Sequence, residues 1–178
     1  MEFRFDTTLI AVNLPDKAAL VDAVKTRLTA GQGFALATIN LDHLAKLSES
    51  AAFRQAYAAQ DMVVADGNPV VWLSWLARRP VSLVPGADMV LPLARVAAQE
   101  GVTVGLVGST EAALAAAAQT LCAEIPGLQI NARIAPAFGF DPEGPAARAI
   151  FAELTRAKVG LCFVALGAPK QEVFAALG

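Results

Sequence analysis

The chain has 178 residues, 56% of them hydrophobic and 17% charged, with a formal net charge of −2 at pH 7. That length and apolar content suit one domain with a full-sized core and exclude disorder. The near-neutral charge excludes a global basic field that would recruit nucleic acid.

In chain order, Thr8 to Val12 reads as a short strand, and Asp16 caps a helix that runs to about Thr29 with Ala19, Leu20, Ala23, Val24 and Leu28 on one face. Phe34 to Ile39 is a second strand, helical pieces follow from Asp42 to Ala59, and Met62 to Ala65 is a third strand. Pro69 suits the first position of a helix reaching Leu76 or Ala77, with Trp72 and Trp75 read as core. A turn-rich piece from Arg78 to Gly86 leads into a helix opened by Ala87 or Asp88, which ends near Gln99 with Gly101 as its stop. Arg78-Arg79 reads as a solvated helix end with a capacity for lipid phosphates. Val102 to Val107 is a buried strand, followed by an alanine-rich helix ending near Glu124 and a strand from Leu128 to Ile134. Asp141-Pro142-Glu143 has the cap, proline and acid of a helix start, and that helix ends near Ala157. Val159 to Leu166 is the last strand, and Pro169 opens a final helix.

Strands alternating with helices of this length imply a Rossmann-like α/β domain, a mostly parallel sheet with helices on both faces, spanning residues 1–178. Cys122 and Cys162 lie in apolar stretches and read as buried free thiols. The single histidine, His43, reads as a surface or capping residue, and no metal-binding pattern exists. Met1 to Asp6 lacks the apolar core of a signal peptide, and no apolar run reaches the length of about 18 residues that a membrane span needs. The chain is therefore expected to be soluble or attached to a membrane surface. Its stop at Gly178, just after Pro169 has opened a helix, reads as the end of a fragment.

Ligands of open α/β sheets bind at the carboxyl ends of strands, and four such ends carry polar residues. Alternation puts Thr38 and Asn40 on one side of their strand, where both could bond a sugar, although Asn40 and Asp42 could equally cap the next helix. Asp66, before Gly67, is a cap, a turn residue or a carboxylate poised as a general base, the cap being favoured locally. Gly108-Ser109-Thr110 makes a phosphate or ribose cradle or an ordinary cap, and lacks both the Gly-x-Gly-x-x-Gly and the Walker A patterns. Nicotinamide dinucleotide chemistry thus loses its usual signature. In Gly167-Ala168-Pro169-Lys170-Gln171-Glu172 a buried strand ends, the backbone turns and a helix opens with free N–H groups beside Lys170 and Gln171, while Glu172 favours the helix dipole.

Together these segments resemble the WecG/TagA/CpsF family of bacterial glycosyltransferases. The matching pieces are Thr38-Ile39-Asn40, Ala65-Asp66-Gly67, Val84-Pro85-Gly86-Ala87-Asp88, Val107-Gly108-Ser109, Gly139-Phe140 and Gly167-Ala168-Pro169-Lys170-Gln171-Glu172, from about Leu9 to the end. The resemblance implies inverting, metal-independent transfer from a UDP-sugar, of the N-acetylmannosamine type or a related hexose, to a polyprenyl-diphosphate-linked saccharide in cell-surface polysaccharide synthesis. It implies no cofactor, a place at the inner face of the bacterial membrane, and possible self-association. By matching position Asp66 would be the base, and Thr38, Asn40 and Gln171 would contact sugar or acceptor, with Gly67, Gly108, Ser109 and Lys170 completing the binding site. Leu83 stands where many members carry Arg, so a phosphate or acceptor contact made by that Arg would be missing or supplied elsewhere. Members also continue with a further strand and a basic segment that meets the membrane, so this chain as given is expected to show weak or no activity and to lack that contact. The alternative reading is a non-catalytic nucleotide or sugar-phosphate binding module.

Overall fold

The computed structural model describes residues 1–178, all of them placed in one domain of seven strands and eight helices. The chain begins with a hairpin: β1 (Glu2–Phe5) pairs antiparallel with β2 (Thr8–Ala11), and Asp6, at φ 50, makes the turn. The sequence reading has only the second of these strands. The Glu2-Phe3-Arg4-Phe5 alternation is the signal for the first, and Phe3 and Phe5 pack against the core beneath it.

Next come α1 (Lys17–Thr29), β3 (Leu36–Ile39), α2 (Leu41–Glu49), α3 (Ala51–Ala58), β4 (Met62–Ala65), α4 (Asn68–Leu76) and α5 (Gly86–Gln99). The second half comprises β5 (Val104–Gly108), α6 (Glu111–Glu124), β6 (Ile130–Ile134), α7 (Pro145–Arg156), β7 (Leu161–Ala165) and α8 (Lys170–Leu177). β3 pairs parallel with β4, and β5 lies between β6 and β7 in a three-stranded parallel sheet.

Strand alternation distributes the core over both faces. Val104 and Leu106 of β5 join Met62 and Val64 of β4 in a cluster roofed by α1, α5 and α6. Val107 of β5 faces the other way, onto Ala147 and Ile150 of α7 and Phe174 of α8. Val63 and Ala65 of β4 likewise turn to Ala37, Ile39, Phe53 and Tyr57. This is the Rossmann-like α/β architecture that the strand–helix alternation calls for.

Four local expectations are corrected. Trp72 and Trp75 are not core: they are 59% and 62% exposed, and α4 buries Val70, Val71 and Ser74 instead. Small and β-branched side chains let α4 sit close on the sheet, so the bulky residues fall on its outer arc. Asp141 does not cap α7; it accepts from the Glu143 N–H in a turn, and the helix opens at Pro145 with Gly144 before it. Cys122 is exposed, because its α6 buries the Leu114–Ala118–Leu121 stripe, while Cys162 is half-buried. Burial pushes the Cys162 thiol up to about 12, which keeps it protonated at neutral pH.

Gly108 answers a packing need. It has φ 113, and a Cβ there would lie 2.3 Å from the Ala165 carbonyl oxygen, so only glycine lets β5 close on the end of β7. No helix is long and apolar enough to cross a membrane.

Candidate active site

β3 and β4 end side by side. The Asp66 N–H donates to the Ile39 carbonyl (2.8 Å), extending the parallel ladder one step, so Asn40 and Asp66 leave the sheet as neighbours. Asp66 does not cap α4. That helix starts after Gly67, at φ 127, with no side-chain cap at all. The Asp66 Oδ2 instead accepts from the Gly86 N–H, the first residue of α5, at 3.2 Å, and no protein donor engages its Oδ1. Gly86 is glycine because a Cβ there would meet Thr38 Cγ2 at 3.0 Å and lie 3.8 Å from Asp66 Oδ2. Thr38, Asp66 and the amino end of α5 therefore converge on one spot. The Val84–Asp88 segment carries no assigned role in the sequence reading, yet it supplies this anchor.

Thr38 and Asn40 do share a side, both half-buried between buried Ala37 and Ile39. The Asn40 cap is real: its Oδ1 accepts from the His43 N–H at 3.0 Å. Its amide nitrogen makes no protein hydrogen bond, so capping and ligand contact are compatible.

His43 is not at the surface. It is 6% exposed, because α2 turns positions 43 and 47 inward together. Its Nδ1 lies 2.9 Å from the Thr38 carbonyl and 2.8 Å from the Tyr57 hydroxyl, which itself donates to that carbonyl at 2.5 Å. Burial first, then the Glu172 and Asp66 carboxylates, raise the Tyr57 phenol well above its ordinary range, so it remains a donor. On its other edge, His43 Nε2 lies 4.0 Å from Glu172 Oε1, beyond hydrogen-bond distance.

Glu172 is an acid of the first turn of α8, as the sequence reading has it, and it is buried. It is 2% exposed, because α8 packs on α3, and just past the end of α3 Gln60 Nε2 donates to the Glu172 carbonyl at 3.1 Å. The Glu172 Oε1 accepts from Gln171 Nε2 at 2.9 Å. Glu172 Oε2 and Gln60 Oε1 have no partner.

Two polar groups thus face each other across a 4.0 Å gap: Thr38, Tyr57 and His43 on one side, Glu172 and Gln171 on the other. Sequence reasoning misses Tyr57, Gln60 and the inward turn of His43 and Glu172. The only hint is that the chain's one tyrosine and one histidine both fall on inward helix positions.

Ser109 belongs to a different contact. Its N–H donates to the Ala165 carbonyl at 3.0 Å, which seats the turn after β5 against the end of β7, and its side chain is exposed. Thr110, not Ser109, caps α6. Ser109, Lys170 and Gln171 share no hydrogen bond with Asp66; the Gln171 side chain donates to Glu172. Leu83 is 37% exposed, one residue before Val84, whose N–H bonds the Ala65 carbonyl at 2.8 Å. No three His, Cys, Asp or Glu side chains gather as a metal site.

A half-buried carboxylate with one oxygen anchored by a helix N–H and the other free can accept a proton from a hydroxyl placed beside it. Amino ends of helices at neighbouring strand ends suit anionic groups. The sequence model of the glycosyl transferase WecG/TagA/CpsF family matches residues 6–177. No curated protein matches the chain.

Proposed function

Because the chain belongs to the WecG/TagA/CpsF family of glycosyl transferases, and so to a polysaccharide-building class of enzyme, we propose that it moves a hexose from a UDP-sugar to a polyprenyl-diphosphate-linked saccharide with inversion at the anomeric carbon. Asp66 is the base. Its Oδ1 takes the proton of the acceptor hydroxyl as that oxygen bonds the anomeric carbon, and the bond from the same carbon to the UDP oxygen breaks. One displacement leaves the product with opposite anomeric configuration.

The other roles follow from what each residue offers. The Thr38 hydroxyl and the Asn40 amide nitrogen bond the sugar or acceptor, and Gly67 keeps the space between them open. Gln171 reaches into the same crevice, oriented by Glu172. The leaving diphosphate is met by N–H donors and by Lys170, with Gly108 and Ser109 at the adjoining strand end. Such preformed donors act without reorganisation as charge develops. The lipid on the acceptor brings the enzyme to the face of a membrane.

The observation that carries this reading is the Asp66 carboxylate, held at Oδ2 by the Gly86 N–H at 3.2 Å and free at Oδ1. Incubation with UDP-N-acetylmannosamine and a short-chain polyprenyl-diphosphate-linked saccharide, followed by NMR of the new anomeric proton, is the test. An inverted product supports the proposal. A retained configuration, or UDP binding with no transfer to any lipid-linked acceptor, contradicts it.

A further inference from the structure

The outer face of α4 is the chain's most apolar exposed surface. Trp72, Leu73, Trp75 and Leu76 are 59%, 39%, 62% and 82% exposed. At 100° per residue they occupy an arc of about 160°, with Val70, Val71 and Ser74 buried opposite. Arg78 and Arg79 follow at once, both exposed and neither paired with a carboxylate. No Asp or Glu occurs anywhere from Asn68 to Pro85.

We propose that this stripe seats the protein on an anionic lipid surface, with Trp72, Trp75 and Leu76 in the headgroup–acyl boundary and Arg78 and Arg79 on lipid phosphates. Tryptophan favours that boundary because its ring is apolar and its N–H finds a polar partner there. Apolar residues flanked by cations are the composition of helices that lie on membranes. A second copy of the chain fits less well. A twofold contact through this stripe would set arginines against arginines, with no acid in the segment to offset them. The placement also serves the crevice, since α4 begins two residues after Asp66 and is only about 13 Å long. The inference rests on the lipid-linked acceptor proposed above, and its test reads lipid binding alone so that the two can fail separately.

Trp72 and Trp75 are the chain's only tryptophans, so their emission reports on the stripe directly. With vesicles of equimolar phosphatidylglycerol and phosphatidylcholine, emission should shift to shorter wavelength and the protein should float with the vesicles. The exposed pair Trp72→Ser and Trp75→Ser should lower flotation about tenfold or more, with an unchanged far-UV circular dichroism spectrum. Arg78→Gln and Arg79→Gln should each weaken binding about fivefold on those vesicles and leave any binding to pure phosphatidylcholine unchanged. An unshifted emission with anionic vesicles overturns the proposal. So does a shift that appears without lipid as protein concentration rises, accompanied by dimers in sedimentation velocity. Vesicle binding without sugar transfer would leave this inference standing and remove the proposed reaction. Transfer to a short-chain acceptor without vesicle binding would do the reverse.

Discussion

An Asp66→Asn variant should lose about 10²–10⁴-fold in kcat while binding UDP as tightly as the parent. The substitution keeps size and shape. The amide oxygen of Asn can still accept from the Gly86 N–H, now 3.2 Å from Asp66 Oδ2, so the join between α5 and the strand ends survives. The position of Oδ1 then presents an NH₂ group, which donates and takes no proton. Chemistry is lost and the crevice remains, so the loss should appear in kcat with the UDP Kd from calorimetry unchanged. Turnover near that of the parent would remove Asp66 from the mechanism. Equal losses of UDP affinity and kcat would make it a binding group instead.

A Glu172→Ala variant should lower kcat/KM about 10²-fold although Glu172 is buried behind the crevice. The Glu172 Oε1 is the acceptor for Gln171 Nε2 at 2.9 Å and faces His43 Nε2 at 4.0 Å. Without it the Gln171 amide swings free, and misplacement of about 1 Å costs rate on that scale. Removing a side chain 2% exposed also weakens the contact of α8 with α3, a cost of about 1–3 kcal/mol in urea unfolding. The discriminating variant is Glu172→Gln, which keeps an acceptor for Gln171 and drops the charge. It should stay within about fivefold of the parent, since one neutral hydrogen bond replaces a charge-assisted one. If it falls as far as the alanine variant, the carboxylate acts through its charge on His43 and not by tethering Gln171.

What could be read from the sequence divides along a physical line. The alternation of apolar runs with amphipathic stretches is a local property, and it specifies the parallel strands and the two-sided core. The strand-end rule then finds Thr38, Asn40 and Asp66, because each lies within two residues of the end of a short apolar run. Contacts between distant segments leave no such trace. Gly86 lies 20 residues from Asp66, and Gln60 lies 112 from Glu172; nothing in either neighbourhood marks the other. The sole histidine reads as a surface or capping residue because the pattern of α2 does not fix which face turns inward. The tryptophans of α4 failed for the opposite reason. Hydrophobicity is read as burial, yet when apolar residues fall on all sides of a helix the pattern does not say which arc meets the core, and here the smaller residues do, the polar Ser74 among them. Asp141 shows the limit of cap signals: Asp-Pro-Glu fits a helix start, but it also fits the turn that comes just before one.

The most direct test of the account is where UDP binds. At 18.5 kDa, the protein suits backbone amide NMR, and a titration with UDP maps the site without requiring turnover. Shifts at Gly108, Ser109 and Lys170, where the account places the diphosphate, extending to Gln171 and to the Asp66, Gly67 and Gly86 amides of the same crevice, are the predicted result. Shifts confined elsewhere, such as the roughly 310 Å³ hollow lined by Ala118, Cys122, Ile130 and Arg133, with the amides around Asp66 unmoved, would contradict it.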